Sequence, residues 1–240
     1  MWYCSDLGPE KLFWPLMTPP RHVFLTGGTG YLGSRLAAEL VRRGHHVTAL
    51  VRRWSAAKLP ADVTPIIGDA LDESTYAHHI APADTFVHLV GVSHPSPAKA
   101  EQFRTIDLAA ARAAVAAAST AAVRHFVYVS VAHPAPVMKA YWKARQEAEK
   151  LIALSGLNAT VLRPWYVLGP GHRWPVVLLP LYWIASLIPL TRHGARRLGL
   201  VTLAQMITAL TYAVEHPIEG MRTVSVRKIR AGGAIKGSQH

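Results

Sequence analysis

The stretch Val23-Phe24-Leu25-Thr26-Gly27-Gly28-Thr29-Gly30-Tyr31-Leu32-Gly33 begins as a short apolar run and ends as a glycine-rich turn. It leads into Ser34-Arg35-Leu36-Ala37-Ala38-Glu39-Leu40-Val41-Arg42-Arg43, whose apolar spacing is helical. Buried strand, tight turn and helix N-terminus are the three parts of a dinucleotide-binding site. Gly27 or Gly28 permits the turn, Gly30 lets backbone approach a pyrophosphate, and Gly33 lets the helix pack closely on the strand. The helix start adds free N–H groups and a partial positive charge suited to phosphates. Thr26, Gly27, Thr29, Gly30, Tyr31, Leu32 and Gly33 are therefore expected to hold a cofactor. A purely steric turn is the alternative use of the same glycines.

Outward from the turn, apolar runs alternate with helical patterns. Strands are expected over 22–26, 47–51, 64–67, 85–90, 124–130 and 158–163. Helices are expected over 30–43, 98–120 and 138–154, with a shorter one after Asp72 running through Tyr76 to His79. Strands that read as continuous apolar runs between helices imply a parallel sheet covered on both faces. The expected fold class is α/β: a Rossmann-type doubly wound parallel sheet over residues 21–168, with a small, mostly helical C-terminal substrate lobe over 169–230.

Bulk properties narrow the partners. The chain has 240 residues, half of them hydrophobic, enough for one sizeable domain and a small lobe. One cysteine, Cys4, excludes an internal disulfide framework and suits a reducing, cytoplasmic setting. The net charge of +12 comes from scattered arginines and lysines, without the aromatic-interleaved basic stripe of a nucleic-acid binder. It fits anionic ligands and an anionic membrane surface at least as well as nucleic acid. Residues 1–20 mix aromatics, acids and prolines and read as a loosely ordered leader, with Met17 a plausible translation start. From Trp174 to Thr191 no residue is charged, but Pro175, Pro180 and Pro189 argue against a regular spanning helix. Arg173 before that run and Arg192, Arg196 and Arg197 after it could snorkel to phosphate head groups. Residues 174–191 are thus a lid over a pocket, a peripheral contact with an anionic membrane that takes in the arginines to 197, or, as a third reading, a true span. A helix over Thr202–Val214, a strand over Thr223–Val226 and a flexible tail over 231–240 complete the chain.

Cofactor choice turns on the end of the second strand. An NAD site presents a carboxylate there for the ribose 2′-hydroxyl, whereas this chain presents Arg52 and Arg53. A guanidinium can bond a 2′-phosphate that a carboxylate would repel, so NADP(H) is preferred over NAD(H). Asp69, after the third strand, lies where an aspartate could accept from the adenine amino group, or could cap a helix. Ala70 beside it and Leu89 near the end of the fourth strand join the expected cofactor set.

With these residues in place, Thr26-Gly27-Gly28-Thr29-Gly30-Tyr31-Leu32-Gly33, Gly68-Asp69 and Leu162-Arg163-Pro164 resemble the extended and atypical short-chain dehydrogenase/reductase superfamily. The resemblance covers about Arg21 to Pro217, and is nearest to its NmrA-like branch, which includes relatives of the complex I 39-kDa subunit. It implies a tyrosine with a lysine four residues later on one helix, and a serine at the preceding strand end. A tyrosine hydroxyl titrates near 10, and a nearby cation lowers it toward a usable base. Tyr141 stands at the expected place, but Arg145 replaces the lysine. Ser130 closes the strand a residue or two early, and Asp107 sits where the family commonly has asparagine. Tyr141, Arg145 and Ser130 are the candidate catalytic residues, with a purely structural Tyr141 as the alternative. No His or Cys spacing supports a metal among the 13 histidines. Two functions follow as expectations: an NADP(H)-dependent oxidoreductase on an apolar small molecule, or a non-catalytic NAD(P)H-binding sensor or assembly protein, membrane-peripheral in one version. The oligomeric state is left open.

Overall fold

Short apolar strands and amphipathic helices alternate through the computed structural model, which describes residues 19–93, 96–132, 138–170 and 200–232. The strands are β1 (His22–Thr26), β2 (His46–Val51), β3 (Val63–Ile67), β4 (Thr85–His88), β5 (His125–Val129), β6 (Ala159–Arg163), β7 (Tyr166–Leu168), β8 (Leu200–Thr202) and β9 (Met221–Ser225). The α-helices are α1 (Gly33–Arg42), α2 (Ala100–Gln102), α3 (Ala109–Thr120), α4 (Lys139–Leu154), α5 (Leu203–Glu215) and α6 (Val226–Arg230). Seven strands form one sheet in the order β3-β2-β1-β4-β5-β6-β9, and every neighbouring pair is parallel. This is the Rossmann-type doubly wound architecture expected from the sequence. The winding direction reverses between β1 and β4, which opens a crevice at their carboxyl ends.

Helices cover both faces, which is why the central strands are apolar without alternation. On one face Val23, Leu25, Val87 and Val127 pack with Leu36 and Leu40 of α1 and with Met206 and Leu210 of α5. On the other, Phe24, Phe86 and Phe126 are paired across β1, β4 and β5, with ring centroids 5.2 and 5.3 Å apart. Burying each phenyl ring contributes about 2 kcal/mol. The same cluster takes in Ala111, Ala114, Ala117 and Ala118 of α3, so the alanine-rich helix presents small side chains to bulky rings.

Several local expectations are corrected. The helix expected from Asp72 to His79 is two 3₁₀ turns, Glu73–Thr75 and Ala77–His79. Asp72 caps only the first, accepting from the Ser74 N–H at 3.0 Å. Tyr76 breaks the run with φ −143° because its ring is fully buried and stacked on Phe24. The fourth strand ends at His88 rather than Val90, where the chain crosses the glycine turn. The helix expected over 98–120 carries a wide π-turn at Phe103–Leu108. The three-residue β7 and β8, paired in parallel, and the short α6 were not expected at all. Thr202 caps α5 through a reciprocal capping box with Gln205.

Most of the leader (1–18) and of the tail (233–240) lies outside the described residues, as does the whole 174–197 segment. Among the described residues no helix is long and apolar enough to cross a membrane, and no group of His, Cys, Asp or Glu could hold a metal ion.

Candidate functional site

The glycine turn sits at the crevice. Gly27 has φ +78°, a left-handed conformation that glycine adopts without penalty. Its carbonyl accepts from the Gly30 N–H at 3.0 Å. A Cβ on Gly27 would lie 2.9 Å from the Leu89 carbonyl carbon, and one on Gly33 would lie 2.1 Å from the Gly27 oxygen. The first turn of α1 is therefore pressed against the loop, and no side chain caps its N-terminus. Bare backbone and the positive end of a helix dipole suit a pyrophosphate, so the residues present fit a dinucleotide.

Two cavities flank the turn. The larger, about 470 Å³, is lined by Gly27, Thr29, Gly30, Arg52, Asp69, Ala70, Leu89 and Lys99. The other, about 370 Å³, is lined by Gly27, Gly30, Tyr31, Leu32, Gly33, Leu89, Ser130, Tyr141 and Arg145. Thus the fold gathers every sequence-derived candidate around one crevice except two. Thr26 is buried beneath it, its hydroxyl 2.8 Å from His88 Nδ1. Arg53 opens a 3₁₀ turn and does not line the cavity, whereas the Arg52 guanidinium does, lying 5.2 Å from the centroid of the exposed Trp54 ring.

Asp69 accepts from the Leu71 N–H at 3.0 Å and holds the loop after β3. Ser130 is 2% exposed, and its hydroxyl has no hydrogen-bond partner among the described residues. Tyr141 packs on Phe103, with ring centroids 5.0 Å apart. Arg145 is buried, and both terminal nitrogens of its fork are occupied. Nη2 donates to Asp107 at 2.6 Å, and Nη1 donates to the Val129 carbonyl at 3.0 Å and to the Tyr128 hydroxyl at 3.3 Å. It meets Tyr141 through the ring, 5.3 Å from the centroid. Burial opposes the Arg145 charge, but Tyr128, Tyr141 and Asp107 outweigh it and raise its pKa. Burial pushes the Asp107 carboxyl up, against the pull of Arg145 and the Val92 N–H. Burial also raises the Tyr128 phenol to about 12, so it stays protonated.

Sequence reasoning missed two parts of the crevice. Gly91, Val92 and Ser93 line both cavities, and only the glycine hinted at it. Asp107 stands out in the sequence as a departure from the family pattern, but nothing there marks it as the partner of Arg145, which lies 38 residues away.

A family model described as NAD(P)H-binding matches residues 27–173, more than half of the chain. The chain is 25% identical over 213 residues to a ceramide reductase of Caulobacter vibrioides, covering 88% of this chain and 66% of that protein. It is 30% identical over 168 residues to a 4-hydroxy-2-methyl-3-oxo-4-farnesyl-3,4-dihydroquinoline-1-oxide ketoreductase of Stigmatella aurantiaca, covering 61% of this chain and 50% of that protein. The chain thus spans half to two thirds of the length of these two relatives. In fold it is similar to the Bordetella bronchiseptica enzyme WbmH in complex with NAD+, with TM-score 0.64 and 22% identity over 85% of this chain and 75% of that one. It is likewise similar to the Thermus thermophilus UDP-glucose 4-epimerase complex with NAD, with TM-score 0.61 and 16% identity over 88% and 81%.

Proposed function

The chain belongs to the NAD(P)H-binding family, and from that premise we propose that it is an NADP(H)-dependent reductase of the atypical short-chain dehydrogenase/reductase type, acting on an uncharged, apolar carbonyl compound. One observation carries the cofactor preference: Arg52 lines the larger cavity, at a strand end where no carboxylate stands. A guanidinium there gives a 2′-phosphate charge-assisted hydrogen bonds and gives a bare 2′-hydroxyl much less.

The smaller cavity supports an apolar substrate. Val129, Val131, Pro164, Trp165 and Val167 line it, and the one lining cation among the described residues, Arg145, is already paired with Asp107. The two curated relatives are by name reductases of a ceramide and of a farnesylated quinoline, which fits the same class. When bound, NADPH supplies a hydride to the carbonyl carbon. The Tyr141 hydroxyl would give its proton to the oxygen of that carbonyl and recover one from solvent. The Ser130 hydroxyl would donate a hydrogen bond to the same oxygen and hold it in place.

Titration of tryptophan fluorescence with NADPH and NADH tests the first half. NADPH is expected to bind more tightly, and Arg52→Asp to weaken it at least about tenfold while leaving NADH little changed. Micromolar NADPH binding indifferent to that substitution would sink the 2′-phosphate assignment. A screen of apolar ketones against wild type and Tyr141→Phe tests the second half. Turnover unaffected by Tyr141→Phe removes that residue from the mechanism, and binding without any turnover leaves a cofactor-binding protein.

A further inference from the structure

The loop that leaves β4 is the wall common to both cavities, and it is held from outside itself. Gly91, Val92 and Ser93 belong to no strand or helix. Asp107, 1% exposed, projects from the π-turn that interrupts the helical run between α2 and α3. Its Oδ2 accepts from the Val92 N–H at 2.9 Å, and its Oδ1 from Arg145 at 2.6 Å. Arg145 reaches in from α4 and ties the same carboxylate to the Val129 carbonyl at the end of β5. Gly91 lies against the guanidinium so closely that a Cβ there would be 2.3 Å from Nη2. One buried ion pair thus joins the π-turn, α4, the end of β5 and the loop.

We infer that Asp107 and Arg145 act as one clasp that sets the Gly91–Ser93 loop for the dinucleotide, and that Arg145 is a positioning residue rather than the proton-relay partner of Tyr141. The two residue types require each other. A planar fork can donate to Asp107, Val129 and Tyr128 at once, whereas a lysine ammonium is a point charge and cannot match that spread. An arginine does not give up its proton, so it offers no relay. An asparagine at 107 could still accept from Val92, but beyond its single oxygen it has only N–H groups to turn toward Arg145. An aspartate at 107 and an arginine at 145 thus complete each other in this chain. The inference rests on the cofactor site proposed above.

Two measurements on the full chain test it. The first needs no ligand: amide hydrogen exchange of wild type, Asp107→Asn and Arg145→Lys, each confirmed folded by its thermal melt. Exchange in Gly91–Ser93 is expected to quicken at least about tenfold in both variants, while β4 and β5 keep their protection. Unchanged exchange in that loop overturns the clasp. The second is the dissociation constants of NADPH and NADH for wild type, both variants and the double variant. Each single change is expected to weaken both dinucleotides by a similar factor, about tenfold, unlike Arg52→Asp. The double variant is expected to be no weaker than the worse single, because an opened clasp cannot be opened twice. Losses that multiply, or wild-type affinity in Asp107→Asn, overturn it. If wild type binds neither dinucleotide, the cofactor reading fails, and the exchange measurement still decides the clasp.

Discussion

His88 and Gly33 show how single residues carry the site. The His88 ring is buried beneath the turn, bonded to Thr26, with its other nitrogen unpartnered among the described residues. Burial, helped by the Arg145 charge, lowers its pKa to about 3, so the folded protein keeps it neutral. In the unfolded chain it titrates near the ordinary 6.5. Below that pH the unfolded state takes up a proton that the folded state refuses, so stability is full above it and falls as the pH drops. The loss is about 2 kcal/mol by pH 5 for this residue alone. His125, lowered to about 4 mainly by burial, adds a loss of the same sign. Urea midpoints at pH 7 and pH 5 check this: the gap should shrink in His88→Asn, and an undiminished gap assigns the acid sensitivity elsewhere. Gly33→Ala places a Cβ within 2.1 Å of the Gly27 oxygen. The turn must open to admit it, so NADPH binding should weaken more than about tenfold, a cost of 1.4 kcal/mol or more. Wild-type affinity in that variant would deny the turn its tight geometry.

Among the elements, α5 is the most legible: its amphipathic spacing predicts a helix over Thr202–Val214, and it forms at Leu203–Glu215 behind a Thr202 cap. Removing that cap with Thr202→Ala should cost about 1 kcal/mol. A thermal or urea melt measures this, and Thr202→Ser should retain most of the stability. Equal losses for Ala and Ser would point to the lost methyl group instead of the cap. The elements misread share one cause. Tyr76 sits in a helical pattern but leaves it to bury its ring on Phe24, and β7 and β8 pair strands too short to have a period. Local propensity was outweighed in each case by contacts from distant sequence.

At the scale of the molecule, a ligand that binds only the folded chain stabilises all of it. NADPH at a hundred times its dissociation constant should add about 2.7 kcal/mol. For a chain of this size that corresponds to a rise in Tm of roughly 5–10 °C. NADH at the same concentration should give a smaller rise, and an equal one would contradict the preference. Arg52 is exposed, so raising salt should narrow the difference by screening the 2′-phosphate contact. The parallel sheet and the cofactor crevice were foreshadowed by local signals: apolar runs, helical spacing and a glycine turn are properties of consecutive residues. The state of Arg145 was not. Sequence placed it one helical turn after Tyr141, which suggested a catalytic pair. Whether it served Tyr141 or the Gly91–Ser93 loop depended on the π-turn that carries Asp107 to it across 38 residues. The sequence by itself determined a Rossmann fold and a site for a dinucleotide. Only the tertiary structure decided which charges meet in that site, because a buried ion pair forms between groups the fold brings together, and nothing in the neighbouring residues records its partner.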